Sequence, residues 1–157
     1  MDFLYQDPYP ILKDDTHYKK LTSDYVKVEQ LGDREILVVD PKGLELLAQE
    51  AMDDVSFMLR SAHLQKLRNI IEDPEATDND RFVAYNLLQN AAVAVEGQLP
   101  SCQDTGTAIV VAKKGENVYT GVDDGEWLSK GIYNTYQNKN LRYSQIVPIS
   151  MFEEKNS

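Results

Sequence analysis

The chain has 157 residues, 42% of them hydrophobic, with 26 acidic against 16 basic side chains and a formal charge of −10. That length is one domain with room for a core, and the hydrophobic share is that of a folding chain rather than a disordered one. The acidic balance, without any run of Lys and Arg, argues against nucleic acid as a partner, because phosphate binding needs a basic footprint. No stretch approaches the roughly 20 apolar residues of a membrane span, and the start Met1-Asp2-Phe3-Leu4-Tyr5-Gln6-Asp7-Pro8 lacks the basic and apolar regions of a signal peptide. The expectation is a cytoplasmic protein without a membrane partner. A single cysteine, Cys102, rules out an internal disulfide.

In chain order, an N-terminal arm with Pro8 and Pro10 leads to two strand-like runs, Tyr25 to Val28 and Ile36 to Val39. Leu31-Gly32-Asp33-Arg34 between them predicts a β-hairpin. Asp40-Pro41 then supplies a helix N-cap and a proline at the first helical position. Leu44, Leu47, Ala48, Ala51, Met52, Val55 and Leu59 recur at helical spacing, which predicts a helix to about Arg60. Leu64, Leu67, Ile70 and Ile71 mark a short amphipathic helix that Pro74 stops, and that face calls for an antiparallel partner. Thr77 and Asp80 resemble a capping box opening a third helix. Phe82, Val83, Tyr85, Leu87, Leu88, Ala91, Ala92 and Val95 cover so much of its surface that it is expected to be nearly engulfed, with Gly97 as its stop.

Thr107 to Ala112 is a continuous apolar run, Lys114 to Asn117 a turn, and Val118-Tyr119-Thr120 a return, predicting a second hairpin with a buried first strand. Asp123 and Asp124 cap a last helix carrying Trp127, Leu128, Ile132 and Tyr136, and a polar, charged tail follows from Leu141. The reading is an α+β fold: a helix-dominated domain with small antiparallel β-hairpins or sheets and no second domain.

The chemistry concentrates in Leu99-Pro100-Ser101-Cys102-Gln103-Asp104-Thr105-Gly106-Thr107, where a soft sulfur donor stands beside an amide and a carboxylate. On residue type alone, Cys102 reads either as a buried thiol or as a ligand or nucleophile. Gln103 and Asp104 read either as turn residues satisfying loop N–H groups or as contacts to a ligand. His17 and His63 are remote in sequence and stand in no motif, which disfavours a cysteine nucleophile with a histidine base. Structural zinc needs four Cys or His ligands at close spacing and finds one isolated Cys. Arg142 can grip a carboxylate through two parallel hydrogen bonds, in a chain where any anion site must be made locally against a negative field. The alternative for Arg142 is a surface pair with one of the many acids. The doublets Asp53-Asp54 and Asp123-Asp124 are assigned no chemistry, since neighbours on a helix point apart and acids at a helix start answer the macrodipole.

The stretch Pro100 to Ala108 resembles the segment carrying the first iron–sulfur ligand of class I fumarate hydratases and the related tartrate dehydratases. The likeness extends through Lys13 to Thr16, Ser56 to Arg60, Gly131-Ile132-Tyr133-Asn134-Thr135-Tyr136 and Asn140-Leu141-Arg142-Tyr143-Ser144, so residues 1–157 resemble the N-terminal part of such an enzyme. This resemblance implies that Cys102 is one of three cysteine ligands of a 4Fe-4S cluster, that Gln103 and Asp104 contact the substrate, and that Arg142 pairs with a substrate carboxylate. It implies a small dicarboxylate substrate, fumarate or malate, and a hydro-lyase reaction in which iron acts as a Lewis acid. It also implies a homodimer at full length. No catalytic residue is assigned within the 157 positions. The other two cysteines and the base have no counterpart here, so the remaining part of the same enzyme is an expected partner, and the chain by itself is expected to lack activity. The competing expectation is a non-catalytic module that binds a dicarboxylate or partner chain, or one subunit of a split hydro-lyase such as tartrate dehydratase.

Overall fold

The computed structural model describes residues 3–10, 17–101, 108–139, 141–142 and 146–156. The order of elements is β1 (Val26–Leu31), β2 (Arg34–Val39), α1 (Pro41–Phe57), α2 (Ser61–Glu72), α3 (Asp78–Ala94), β3 (Val118–Tyr119), α4 (Asp124–Asn138), β4 (Ile146–Ser150) and β5 (Glu153–Asn156). The α+β reading holds, with helices dominant and the strands in one three-stranded and one two-stranded sheet.

The first hairpin forms as its sequence predicts. β1 and β2 pair antiparallel from Val26 opposite Val39 to Leu31 opposite Arg34, leaving a two-residue loop. Gly32 takes φ +65 there, the left-handed backbone that a tight hairpin turn requires at its first position. Asp40 caps α1 by accepting from the Lys42 N–H at 2.9 Å, with Pro41 at the first helical position.

α2 and α3 form an antiparallel hairpin. Its link is held by the Arg81 guanidinium, which donates to the Asp73 carbonyl at 2.7 Å, and by a complete capping box. The Asp80 N–H donates to Thr77 Oγ1, and the Thr77 N–H donates to the Asp80 carboxylate. Gly97, at φ +74, donates to the Ala94 carbonyl and ends α3 as expected.

α1 and α4 make the most extensive contact between helices. Lys130 and Asn134 both reach Glu45, at 2.9 and 2.8 Å. Thr135 Oγ1 lies 3.0 Å from the Gln49 carbonyl oxygen, and Lys139 Nζ lies 3.2 Å from Asp53. Both sets of numbers rise together, so the two helices run parallel and their C-terminal ends lie side by side. Gly131 sets their separation: a Cβ there would meet the Glu45 carbonyl oxygen at 2.2 Å, the Ala48 Cβ at 2.8 Å and the Gln49 nitrogen at 3.0 Å.

Three expectations are corrected. Residues 108–112 form no strand, and Ile109 is 83% exposed, because no strand among the described residues pairs with the run. The return segment pairs elsewhere: Val118 and Tyr119 lie parallel to Leu37 and Val38, and the Leu37 N–H donates to the Asn117 carbonyl at 2.8 Å. The sheet therefore has one parallel pair. α3 is not engulfed either: only Ala84 and Ala94 are buried on it, while Phe82 is 66% and Tyr85 54% exposed. The tail, read as a polar end, carries the hairpin of β4 and β5, with a register shift between Pro148 and Ser150.

At the N-terminal end of α4, Asp123 accepts from the Gly125 and Glu126 N–H groups, which makes it the cap its sequence predicts. Asp124 instead accepts from Lys114 Nζ and from the Thr120 hydroxyl, both at 2.5 Å. The Lys114 bond, with the Thr120 bond next, holds the Asp124 carboxyl below its ordinary value of 3.8. The Thr77 hydroxyl and then its N–H do the same for Asp80.

Two stability measurements check this packing. Gly131→Ala gains about 1 kcal/mol in helix propensity. The clash is with backbone on the facing helix, so the expected net effect is a loss of about 1–3 kcal/mol in denaturant unfolding. For Asp124, the folded-state acidity exceeds that of the unfolded chain, so its stabilisation is complete above the unfolded value and disappears as pH falls through the folded one. Thermal melts of Asp124→Asn are expected to lie below the parent at neutral pH and to converge with it as pH falls below the ordinary carboxylate range.

Candidate functional site

Of the residues singled out in the sequence, Cys102, Gln103 and Asp104 lie outside the described residues, as does Tyr143. Ser101, immediately before Cys102, and Arg142 are both described, and the fold brings them to one end of the α1/α4 pair.

Ser101 arrives there through α1. The carbonyls of a helix's last turn have no intrahelical donor, and that of Ser56 is one of them. It accepts from both the backbone N–H of Ser101, at 2.8 Å, and the Ser101 hydroxyl, at 2.9 Å. The Ser56 hydroxyl turns back to the Met52 carbonyl at 2.7 Å. Ser56 and Ser101 are each only 4% exposed, so this joint is closed to water. The chain enters the segment of Cys102, Gln103 and Asp104 from it.

Arg142 arrives through α4. Thr135, at 1% exposure, shares its hydroxyl between the Gln49 and Gly131 carbonyls, at 3.0 and 3.2 Å, which seats the helix on α1. One turn further on, Lys139 stands 3.2 Å from Asp53 and 5.3 Å from the Phe57 ring centroid, tying the two helix ends together. Asp53 Oδ1 makes no well-aligned hydrogen bond and is shielded from water, so Lys139 is what balances its charge. Beyond the helix, Leu141 is buried and donates its N–H to the Tyr136 carbonyl at 3.1 Å. Arg142 follows directly and is exposed. The Lys114, Thr120 and Asp124 cluster is at the other end of α4, about 22 Å away for a helix of this length.

His17 and His63 are exposed, and among the described residues no group of three or more His, Cys, Asp or Glu side chains could hold a metal ion. Of the doublets, Asp123 is the cap its sequence predicts, while Asp124 is held by Lys114 and Thr120 instead of capping the helix. Asp53 is an addition: it fastens α4 to α1. Sequence reading missed Ser56, Ser101, Gly131 and Thr135 as structural determinants. A signal existed in the last two, a glycine and a small hydroxyl residue four positions apart inside a helix, which marks a close packing face.

The family described as Fumarate hydratase (Fumerase) matches residues 45–157, from the Glu45 that holds Lys130 and Asn134 to the chain's last residue. The chain belongs to the fumarate hydratase family. It is 54% identical, over 99% of its length, to Fumarate hydratase class I, anaerobic, from Escherichia coli (strain K12). It is 52% identical, again over 99% of its length, to Fumarate hydratase class I, aerobic, from the same strain. Fumarate hydratase 1, mitochondrial, from Leishmania major is 52% identical over 91% of this chain. The chain spans 28% of the length of the two bacterial relatives and 26% of the Leishmania one. Family membership thus agrees with the resemblance carried by the cysteine segment and by the stretch from Gly131 to Ser144.

Proposed function

We propose that these 157 residues act as the N-terminal part of an iron–sulfur hydro-lyase that reversibly hydrates fumarate to (S)-malate. The observation that carries the reading is the convergence of Ser101 and Arg142 at the C-terminal ends of α1 and α4. Two segments assigned to substrate and cluster, 40 residues apart in sequence, leave the scaffold at one place.

In this reading Cys102 supplies one thiolate to a 4Fe-4S cluster. With one cysteine in 157 residues, and no metal-suited group among the described ones, this chain offers one corner of the three-cysteine set. The other two thiolates and the base come from sequence outside these 157 residues. The cluster's contribution is a Lewis-acidic iron for the substrate's hydroxyl and carboxylate. The chain's own residues do the gripping: the Arg142 guanidinium forks onto a substrate carboxylate, while the Gln103 amide and the Asp104 carboxylate meet the substrate near the thiolate. In a chain of charge −10, Arg142 supplies the local positive potential that a dianion needs.

The exposed surface supports a larger assembly. Phe82 and Tyr85 on α3 and Ile109, Val110 and Val111 before β3 are apolar side chains left in water. In the proposed whole enzyme, a homodimer, further sequence covers them.

The test uses the full-length polypeptide that carries this sequence. Cys102→Ser is expected to lose both the cluster's visible absorbance and fumarate hydration. Arg142→Met is expected to keep the cluster and raise KM for malate by about 10- to 100-fold, the worth of a charged two-pronged hydrogen bond. Cluster and rate both retained in the serine variant would refute the ligand assignment.

A further inference from the structure

We infer that Ser101 is a positioning residue: its hydroxyl and amide together fix the start of the Cys102 segment to α1, and through α1 to α4 and Arg142. The inference rests on the roles proposed above for Cys102 and Arg142, and it adds the part that sets one against the other.

The joint is built for that task. Two donors from one residue converge on a single carbonyl 45 positions away, at 2.8 and 2.9 Å. The Ser56 carbonyl is a helix-end acceptor with no helical donor of its own, and the Ser56 hydroxyl is already committed to Met52, so nothing within α1 competes for it. With both serines 4% exposed, water does not substitute for a lost bond. Each of the two donors restricts how Ser101 can turn against the end of α1. From Ser56 the path to Arg142 runs through packed contacts: Lys139 joins the helix ends through Asp53 and Phe57, and Leu141, just before Arg142, is buried. A substrate bound at once to a thiolate-held iron and to Arg142 needs those two groups at a fixed span. Displacements of about 1 Å at such a site cost orders of magnitude in productive binding.

Ser101→Ala, Ser101→Thr and Cys102→Ser in the full-length polypeptide, loaded with its cluster, test the inference. The alanine variant keeps the amide bond and loses the hydroxyl bond. The expected results are cluster loss about fivefold faster, followed by visible absorbance, and KM for malate raised about fivefold with kcat nearly unchanged. The threonine variant, which keeps the hydroxyl, is expected to restore both values. A residue that only caps α1 would lower the thermal midpoint and leave cluster lifetime and KM at parental values; that outcome overturns the inference. Loss of the cluster in Cys102→Ser with no change in Ser101→Ala means that the positioning role alone fails. Retention of the cluster in Cys102→Ser means that the ligand assignment beneath it fails. A measurement without substitution stands beside these. In hydrogen exchange on the 157-residue chain, the Ser101 amide is expected to be protected together with those of α1, and exchange as fast as in the exposed tail hairpin contradicts the joint.

Discussion

α4 lies so close along α1 that a single methyl group on Gly131 would stand 2.2 Å from the Glu45 carbonyl oxygen. That backbone-to-backbone approach is the constraint from which the remaining geometry follows. It lets the Thr135 hydroxyl reach a main-chain carbonyl on the facing helix, and it brings Lys139 onto Asp53 and Phe57. Because the helices are parallel, their C-terminal ends coincide. The polypeptide leaves α4 toward Arg142 where the Ser101 joint closes on α1. Side chains of ordinary size at this crossing would widen the pair and separate the two exits.

The elements legible in the sequence are those with local causes. Asp40-Pro41 starts α1, Thr77 and Asp80 cap α3, Gly97 ends it, and Gly32 turns the first hairpin, each through bonds or dihedrals within a few residues. What local pattern could not supply was the choice of partner. Thr107 to Ala112 has the composition of a buried strand, yet the described part of it pairs with no strand among the described residues, while Val118 and Tyr119 find β2 in parallel across the chain. α3 carries apolar residues nearly all round, and its own chain covers one side only. Both misreadings assumed that an apolar surface finds its cover within these 157 residues. The candidate site shows the same division: residue type and resemblance single out Arg142 and the cysteine segment. The Ser56 and Ser101 joint that relates them is a contact over 45 positions with no local signature.

Electrostatics and burial lead to one picture of the site's economy. Most of the ion pairs among the described residues are exposed, such as Arg68 with Glu72 along α2, and contribute little to stability. The acids of α1 are used differently: Glu45 holds Lys130 of α4 and Asp53 holds Lys139 just after it, so these charges register the two helices. Arg142 follows the buried Leu141 at the C-terminal end of α4, in a chain that belongs to the fumarate hydratase family.

Ser101, which opens the segment of Cys102, and Arg142 come together at the C-terminal end of the α1/α4 pair. Because Cys102 is the only cysteine in the chain, a nitroxide attached to it reports position without any further substitution. In amide NMR spectra of the labelled 157-residue protein, the account predicts paramagnetic broadening of Ser56, Phe57, Lys139, Leu141 and Arg142. Gly125 and Glu126, about 20 Å away at the opposite end of α4, stay sharp. Broadening at Gly125 and Glu126, with Lys139 to Arg142 unaffected, would contradict it.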